Sequence, residues 1–383
     1  MEFTISREPT GTVRTTAMLA LRAALCALFL SGAAVAQNKK ASSQPSKEAL
    51  SKLSLGLKLF SAGQEEKGIE TLLALREAHP NDPVAVKAEE ILRDHGVGDG
   101  VRVVLDDRKV FRESFRILDK DVLAQVEKTI EELKPHFEGV TPFFEKKSLR
   151  VVFYDSEARY RKQGGSVTAS GDFSISKSDF KARTFEGTIE SYLPKYAATL
   201  KDRQLYLRSL FYHEVTHYWN AASFGGALPS IFEEGIATYL TSRLNTDYYQ
   251  YYRTTDRDEI QSKARNSLNS IVKFEDFKAF LEVGRGFGQG GEMVSRWYGL
   301  CYAIADFFQE GSIGGKKSSF EAFLGRVSDR AAETARNAPR GQRPRKLSAE
   351  ETLSKIVGEI YGVKLEDFHK ALVQHVLEKY RQR

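Results

Sequence analysis

Cysteine is nearly absent from this chain of 383 residues, which contains only Cys26 and Cys301. Cys26 falls within a predicted signal peptide, described below, so the mature protein would keep a single thiol. One thiol cannot form an internal disulfide, and this excludes a small domain that depends on disulfides for its stability. A chain of this length is instead expected to be stabilised by a hydrophobic core, to which a bound metal can add.

Long apolar runs are also missing, since none approaches the roughly 20 residues that a bilayer-spanning helix needs. A shorter run, from Ala23 to Ala36, ends in the small-residue pattern AVA, which is typical of a secretory signal peptide cleaved near Ala36. We therefore expect a signal peptide at 1–36, a polar linker at 37–48 and no transmembrane segment in the mature chain. The protein would be exported and would be periplasmic or extracellular. An uncleaved membrane anchor is the alternative interpretation.

No long basic stripe with interleaved aromatic residues is present, although the chain carries a formal net charge of +6. The pattern therefore predicts no nucleic-acid partner and only a mild preference for anionic surfaces of the cell envelope. One local basic stretch, ARNAPRGQRPRK at 335–346, contains proline and glycine. It is predicted to be a mobile surface insertion.

The N-terminal part of the predicted mature chain, residues 49–97, has apolar residues at helical spacing. It resembles a tetratricopeptide-type helical hairpin at the positions Gly56, Leu59, Gly68, Leu72, Leu75 and Pro80. The resemblance implies a docking segment for a protein partner, but one isolated unit is not a stable solenoid. A helical cap on the neighbouring domain, at 101–383, is therefore the simpler interpretation.

The chemistry-bearing motif is the string HEVTH, in which His213, Glu214 and His217 lie on a predicted helix from Leu205 to Ala222. Histidines four residues apart lie on one face of a helix, where two imidazoles can hold one zinc ion. Glu214 is turned about 100° from His213, where a carboxylate can act as a general base on a water held by the metal. The remaining histidines are predicted to be surface or capping residues: His79, His95, His136, His369 and His375.

A catalytic zinc needs a third protein ligand, and the next predicted helix offers two adjacent glutamates, Glu233 and Glu234. Both lie in the first helical turn, where a carboxylate is favourable in any case. Spacing alone therefore does not distinguish between them. The small residues Gly235 and Ala237 would allow this helix to approach the histidine helix closely.

The pattern H-E-x-x-H followed by P-x-x-x-x-E-G-x-A-x-Y resembles the gluzincin metallopeptidases, in particular the exported peptidase MA-like group. The similarity covers roughly 101–383, with a specific motif and a looser remainder. In that family the third ligand is the glutamate directly before the glycine, which corresponds to Glu234 here. The resemblance implies an α+β fold of the zincin type, with a small twisted sheet, active-site helices behind it and a mostly helical C-terminal part. Phe232 departs from the tryptophan that is frequent in related enzymes.

The resemblance further implies a zinc metallopeptidase in which Glu214 is the general base. It matches Tyr298, in the segment WYGLCYAIADFF, to the leading tyrosine of a later family helix. We expect Tyr298 to stabilise the oxyanion, with Tyr302 as the alternative one turn later. A peptide or protein substrate would bind along an edge strand near 171–175.

Two other functions fit the same residues. The first is a zincin-fold scaffold or binding protein of the cell envelope, with little or no catalytic activity. The second is a zinc hydrolase that acts on a non-peptide amide of the envelope. Retention of Glu214 favours an enzyme, because a scaffold does not need a general base.

Overall fold

The computed structural model describes residues 45–98, 101–105, 122–140, 142–154, 156–165, 170–194, 197, 199–245, 248–249, 254–283, 291–339 and 341–380. The predicted signal peptide and most of the predicted linker lie outside the described residues. By contacts between residues, the chain divides into one unit that ends at Ala88 and a second that begins at Glu89. Within the described residues, no helix combines the length and the apolar character needed to cross a bilayer.

The first unit contains helices α1 (Lys47–Ser61) and α2 (Glu65–Ala78) and the beginning of α3 (Pro83–Asp94). The hydroxyl of Ser46 caps α1 by accepting a hydrogen bond from the amide of Ala49 at 3.1 Å. Helices α1 and α2 pack closely because Gly56 has no side chain. A Cβ there would lie 2.6 Å from Cδ2 of Leu72. The helical hairpin that the spacing predicts is therefore present.

The second unit is built on a five-stranded mixed sheet with the order β1-β2-β3-β5-β4. Its strands are β1 (Val97–Gly98), β2 (Val101–Leu105), β3 (Lys146–Tyr154), β4 (Gly171–Asp179) and β5 (Thr184–Tyr192). Strands β2, β3 and β5 are parallel, whereas β1 and β4 run antiparallel to their neighbours. Strand β4 is thus an edge strand. The combination of this sheet with many helices agrees with the expected α+β class.

The remaining elements of the second unit are mainly helical. They are α4 (122–133), α5 (Glu157–Lys162), α6 (Leu200–Phe224), α7 (Ser230–Leu244), β6 (Tyr248–Tyr249), β7 (Thr254–Thr255), α8 (Asp256–Ser267), α9 (Phe274–Glu282), α10 (Gly291–Glu310), β8 (Ser312–Ile313), β9 (Lys316–Lys317), α11 (Phe320–Asn337), α12 (Ala349–Tyr361) and α13 (Leu365–Lys379). Helix α11 extends to Asn337, so the predicted basic insertion begins inside a helix.

Helix α6 covers one face of the sheet and forms a large part of the core. Phe211 packs edge-to-face on Phe153 of β3, and Tyr218 lies 5.5 Å from Phe185 of β5 between ring centroids. The edge strand approaches the same helix because Gly171 has no side chain, and a Cβ there would lie 2.5 Å from Cδ1 of Leu210. This packing fixes α6 between the sheet and the later helices.

Candidate metal centre

The two histidines of the HEVTH string lie on helix α6, whose ends are both capped. The hydroxyl of Thr199 accepts a hydrogen bond from the amide of Asp202 at 3.1 Å, and Gly225 ends the helix with φ of +61°. His213 and His217 are one turn apart on the same face, and their Nε2 atoms are separated by 3.2 Å. The local sequence therefore directs both imidazoles to one point.

The structure distinguishes Glu233 from Glu234, the two adjacent candidates for the third ligand at the start of α7. The side chain of Glu234 is 0% exposed and lies against both histidines, whereas that of Glu233 is 23% exposed and faces Lys346 with an Nζ–Oε2 distance of 4.0 Å. Asn220, one turn beyond His217, donates a hydrogen bond from Nδ2 to the carbonyl of Glu233 at 3.3 Å. This bond joins the first turn of α7 to α6 and orients Glu234 inward.

Three potential metal-binding side chains meet in this centre: His213, His217 and Glu234. Nε2 of His213 lies 3.2 Å from Oε2 of Glu234, and Nε2 of His217 lies 3.4 Å from Oε1. A tetrahedral zinc with bonds of about 2.0–2.1 Å places neighbouring ligand atoms about 3.3 Å apart. The separations within the trio are close to this spacing, with each histidine facing a different carboxylate oxygen of Glu234.

The chemistry of the donor set also fits zinc. Two imidazole nitrogens and one carboxylate form the His₂Glu set of catalytic zinc sites, which leaves a fourth position for water or substrate. A buried ionised carboxylate is stabilised by a positive charge beside it, and a divalent ion would supply one to Glu234. The side chain of His213 is 22% exposed, so the centre is reached from solvent on the side of this residue.

Close approach of α7 and α10 holds Glu234 in place. A Cβ at Gly235 would lie 2.6 Å from the backbone carbonyl oxygen of Cys301, which is not at the end of a flexible side chain. Only glycine at this position allows the two helices their observed separation. The residue next to the third candidate ligand therefore fixes the distance between two helices.

We predict that Gly235→Ala destabilises the protein by roughly 1–3 kcal/mol, because the new methyl group forces α7 away from α10. The displacement of Glu234 should also weaken zinc binding. The matched control is Gly358→Ala in α12, where a Cβ meets no atom within 4 Å. This variant should be neutral or stabilised by up to about 1 kcal/mol. Thermal denaturation and zinc titration of both variants check the prediction. Equal melting temperatures and equal zinc affinities for the two variants would contradict it.

The other predicted catalytic residues occupy different surroundings. Glu214 is buried on α6 directly after His213. Tyr298 of α10 is half-buried, and its ring centroid lies 6.5 Å from that of His213. Tyr302 is buried farther along α10, and its hydroxyl donates to Oδ1 of Asp306 at 3.4 Å. The structure thus brings Tyr298 to the candidate centre and places Tyr302 in another cluster.

That other cluster surrounds Asp306, which no sequence motif marks as a functional residue. Its carboxylate accepts hydrogen bonds from His375 at 3.0 Å, from Lys379 at 2.6 and 2.7 Å, and from the hydroxyl of Tyr380. Burial alone would raise the pKa of Asp306, but these hydrogen bonds and the charge of Lys379 outweigh it and hold the pKa below its usual value. The sequence feature that could have revealed this cluster is a single acidic residue within the apolar run YAIADFF.

Packing of α13 also corrects the prediction for two histidines. His375 is largely buried against Asp306, and His369 is buried with Nε2 2.8 Å from the carbonyl oxygen of Ile271. Neither is a surface or capping residue, because α13 packs both of them against other helices. Their partners lie 69 and 98 residues away in the chain, so local sequence could not reveal them.

No family model and no curated protein matches the chain at a significant level.

Proposed function

We propose that this protein is a zinc-dependent peptidase with a zincin-type catalytic domain, in which His213, His217 and Glu234 are the zinc ligands. The main support is the geometry of the trio on two adjacent helices: the two Nε2 atoms lie 3.2 Å apart, and each lies 3.2–3.4 Å from one carboxylate oxygen of Glu234. The spacing of the HEVTH string and the inward orientation of Glu234 give the same ligand set.

Bound zinc would lower the pKa of a coordinated water to about 7 and polarise a substrate carbonyl. Glu214, buried beside the ligands, would accept a proton as water attacks a peptide carbonyl and would pass it to the leaving amine. Tyr298 would donate a hydrogen bond from its hydroxyl to the oxyanion. Its proximity to the ring of His213 supports this role over that of Tyr302, whose hydroxyl bonds Asp306.

The edge strand supports a polypeptide as the substrate. Among the described residues β4 pairs with β5 alone, so its other edge can accept an extended peptide by strand addition. The segment from Gly171 packs under Leu210 of α6, three residues before His213. A peptide on this edge would lie alongside the metal helix. We propose that the enzyme acts on polypeptides after export.

The test compares the wild-type protein with Glu214→Gln for zinc content and for cleavage of an unfolded polypeptide. We expect one zinc per chain in both proteins and a fall in cleavage rate of roughly 10²–10⁴-fold in the variant, because only the general base is lost. Glu214→Asp, which keeps the acid but shortens its reach, should retain an intermediate rate.

Stoichiometric zinc without hydrolysis that depends on Glu214 would contradict the peptidase proposal. That result would favour the scaffold, in which the same fold and metal serve binding alone. Hydrolysis of a non-peptide amide but of no polypeptide would identify the third hypothesis.

A further inference from the structure

One end of the second unit carries an excess of positive charge. It lies where the β4–β5 hairpin turns and where α6 connects to α7. We define the basic rim as five side chains: Lys147, Lys177, Lys181, Arg343 and Arg345. They come from the start of β3, from the hairpin and from the connection between α11 and α12. Segments far apart in sequence thus contribute to one charged surface.

The connection between α11 and α12 is held against this end by several contacts. The amide of Leu347 donates to the carbonyl of Ala227 at 2.9 Å. The guanidinium of Arg343 lies against Gly226, where a Cβ would meet Nη2 at 2.6 Å. A Cβ at Gly341 would lie 3.8 Å from Cβ of Lys181. The basic stretch predicted to be an insertion is therefore packed between the hairpin turn and the α6–α7 connection.

A shallow groove of about 410 Å³ continues this surface across the ends of the strands. Lys147 and Lys177 both line it. Nζ of Lys147 also lies 5.0 Å from the ring centre of Trp219, which orients the ammonium group at the end of the strands. The rim and the groove therefore form one continuous basic surface.

The acidic groups in this region are already engaged with other partners. Glu145 pairs with Arg183 at 3.3 Å, and Glu233 faces Lys346 at 4.0 Å. Asp179 accepts hydrogen bonds from the backbone amides that follow it, and Glu186 accepts one from the hydroxyl of Ser176 at 3.0 Å. Across the described part of the chain, none of the five rim cations has a carboxylate within 4.0 Å. Asp179 and Glu186 keep their negative charge, because their amide and hydroxyl donors are neutral, but the five rim cations outnumber them and leave a net positive surface.

We propose that the basic rim attaches this protein to the surface of an anionic lipid bilayer. Its cations are distributed over three segments and only two of them line the shallow groove, which suits a fluid layer of anionic headgroups better than one shaped ligand. The neighbouring rings of Phe143 and Phe180 pack against each other, with centroids 6.0 Å apart, so they are not presented to stack on nucleic-acid bases. The inference does not depend on zinc or on peptidase activity.

The test measures sedimentation of the full chain with vesicles of 30% phosphatidylglycerol and 70% phosphatidylcholine. Each cation near an anionic surface strengthens binding roughly fivefold. The variant Lys181→Gln/Arg343→Gln/Arg345→Gln should therefore bind about 100-fold more weakly than wild type. The wild-type protein should also dissociate when ionic strength is raised to about 1 M, where the Debye length is about 3 Å.

The matched control removes the same charge elsewhere: Lys67→Gln/Lys317→Gln/Lys355→Gln, at three exposed positions. It should bind nearly as well as the wild type. All three proteins share the same N-terminal segment, so its contribution to vesicle binding cancels in the comparison. The proposal would be overturned if both triple variants lost vesicle affinity equally. It would also be overturned if the wild-type protein bound pure phosphatidylcholine vesicles as tightly as the anionic ones. Binding of polyglutamate but not of vesicles through the rim residues would also overturn it, in favour of an acidic protein partner.

Discussion

Replacing Glu234 by glutamine is expected to lower zinc affinity by about 10²–10³-fold and to abolish peptidase activity. The binding free energy of structural zinc sites is roughly 10–16 kcal/mol, which gives about 2.5–4 kcal/mol for each of four ligands, or roughly 10²–10³-fold in affinity. The amide is a poor zinc ligand and removes the negative charge beside His213 and His217. Competition titration against a chelator measures the affinity, and the unfolded-polypeptide assay measures the activity.

The control for this variant is Glu233→Gln, in the same helical turn. Glu233 faces Lys346 and is partly exposed, so its substitution should change zinc affinity by less than about threefold. The two variants remove the same charge from adjacent positions, and general electrostatics therefore cannot explain a difference between them. Loss of zinc from the Glu233 variant with retention in the Glu234 variant would refute the ligand assignment.

Replacing Asp306 by asparagine is expected to destabilise the second unit by roughly 3–5 kcal/mol, or about 5–10 °C in melting temperature. The carboxylate is buried between α10 and α13, where it compensates the charge of Lys379 and accepts bonds from His375 and Tyr380. An amide would leave Lys379, which is largely buried, with the exposed Glu310 as its remaining acidic partner. Helix α10 also carries Tyr298, so loosening of this cluster should reduce activity as well.

The pH dependence gives a second measurement on the same cluster. The pKa of Asp306 is lowered in the folded protein, so its carboxylate adds stability above the unfolded pKa of about 4. This contribution disappears as the pH falls through the lower folded pKa. The free energy of unfolding of Asp306→Asn should therefore fall less between pH 7 and pH 3 than that of the wild type, because the variant has no carboxylate at this position to protonate. Denaturant unfolding of both proteins between pH 7 and pH 3 measures the difference.

A neighbouring acid provides the control for Asp306. Glu310 lies one turn later on α10, also contacts Lys379, at 2.8 Å, and is 37% exposed. Because water screens an exposed pair, Glu310→Gln should cost less than about 1 kcal/mol. Similar destabilisation by the two variants would show that burial of Asp306 is not the cause.

Much of the candidate site followed from local sequence. Positions four apart on a helix face one direction, so the pairing of His213 and His217 needed only the helical period. An edge strand near 171–175 was also predicted, and β4 occupies this position. Both features depend on residues close together in the chain.

Other features depend on packing that the local sequence does not encode. Glu233 and Glu234 are equivalent in a helix start, and contacts of α7 with α6 and with α10 decide which one points inward. Tyr298 and Tyr302 share a helix face, yet the first lies beside His213 and the second beside Asp306. The partners of Asp306 are about 70 residues later in the chain, in α13. Long-range contacts of this kind are visible only in the folded protein.

The central claim is tested most directly by a crystal structure of the zinc-loaded protein with anomalous diffraction recorded at the zinc edge. We predict one strong anomalous peak about 2 Å from Nε2 of His213, Nε2 of His217 and a carboxylate oxygen of Glu234. A fourth coordination position should be open to solvent. A peak at any other place, or three side chains that diverge around no common ion, would contradict the account.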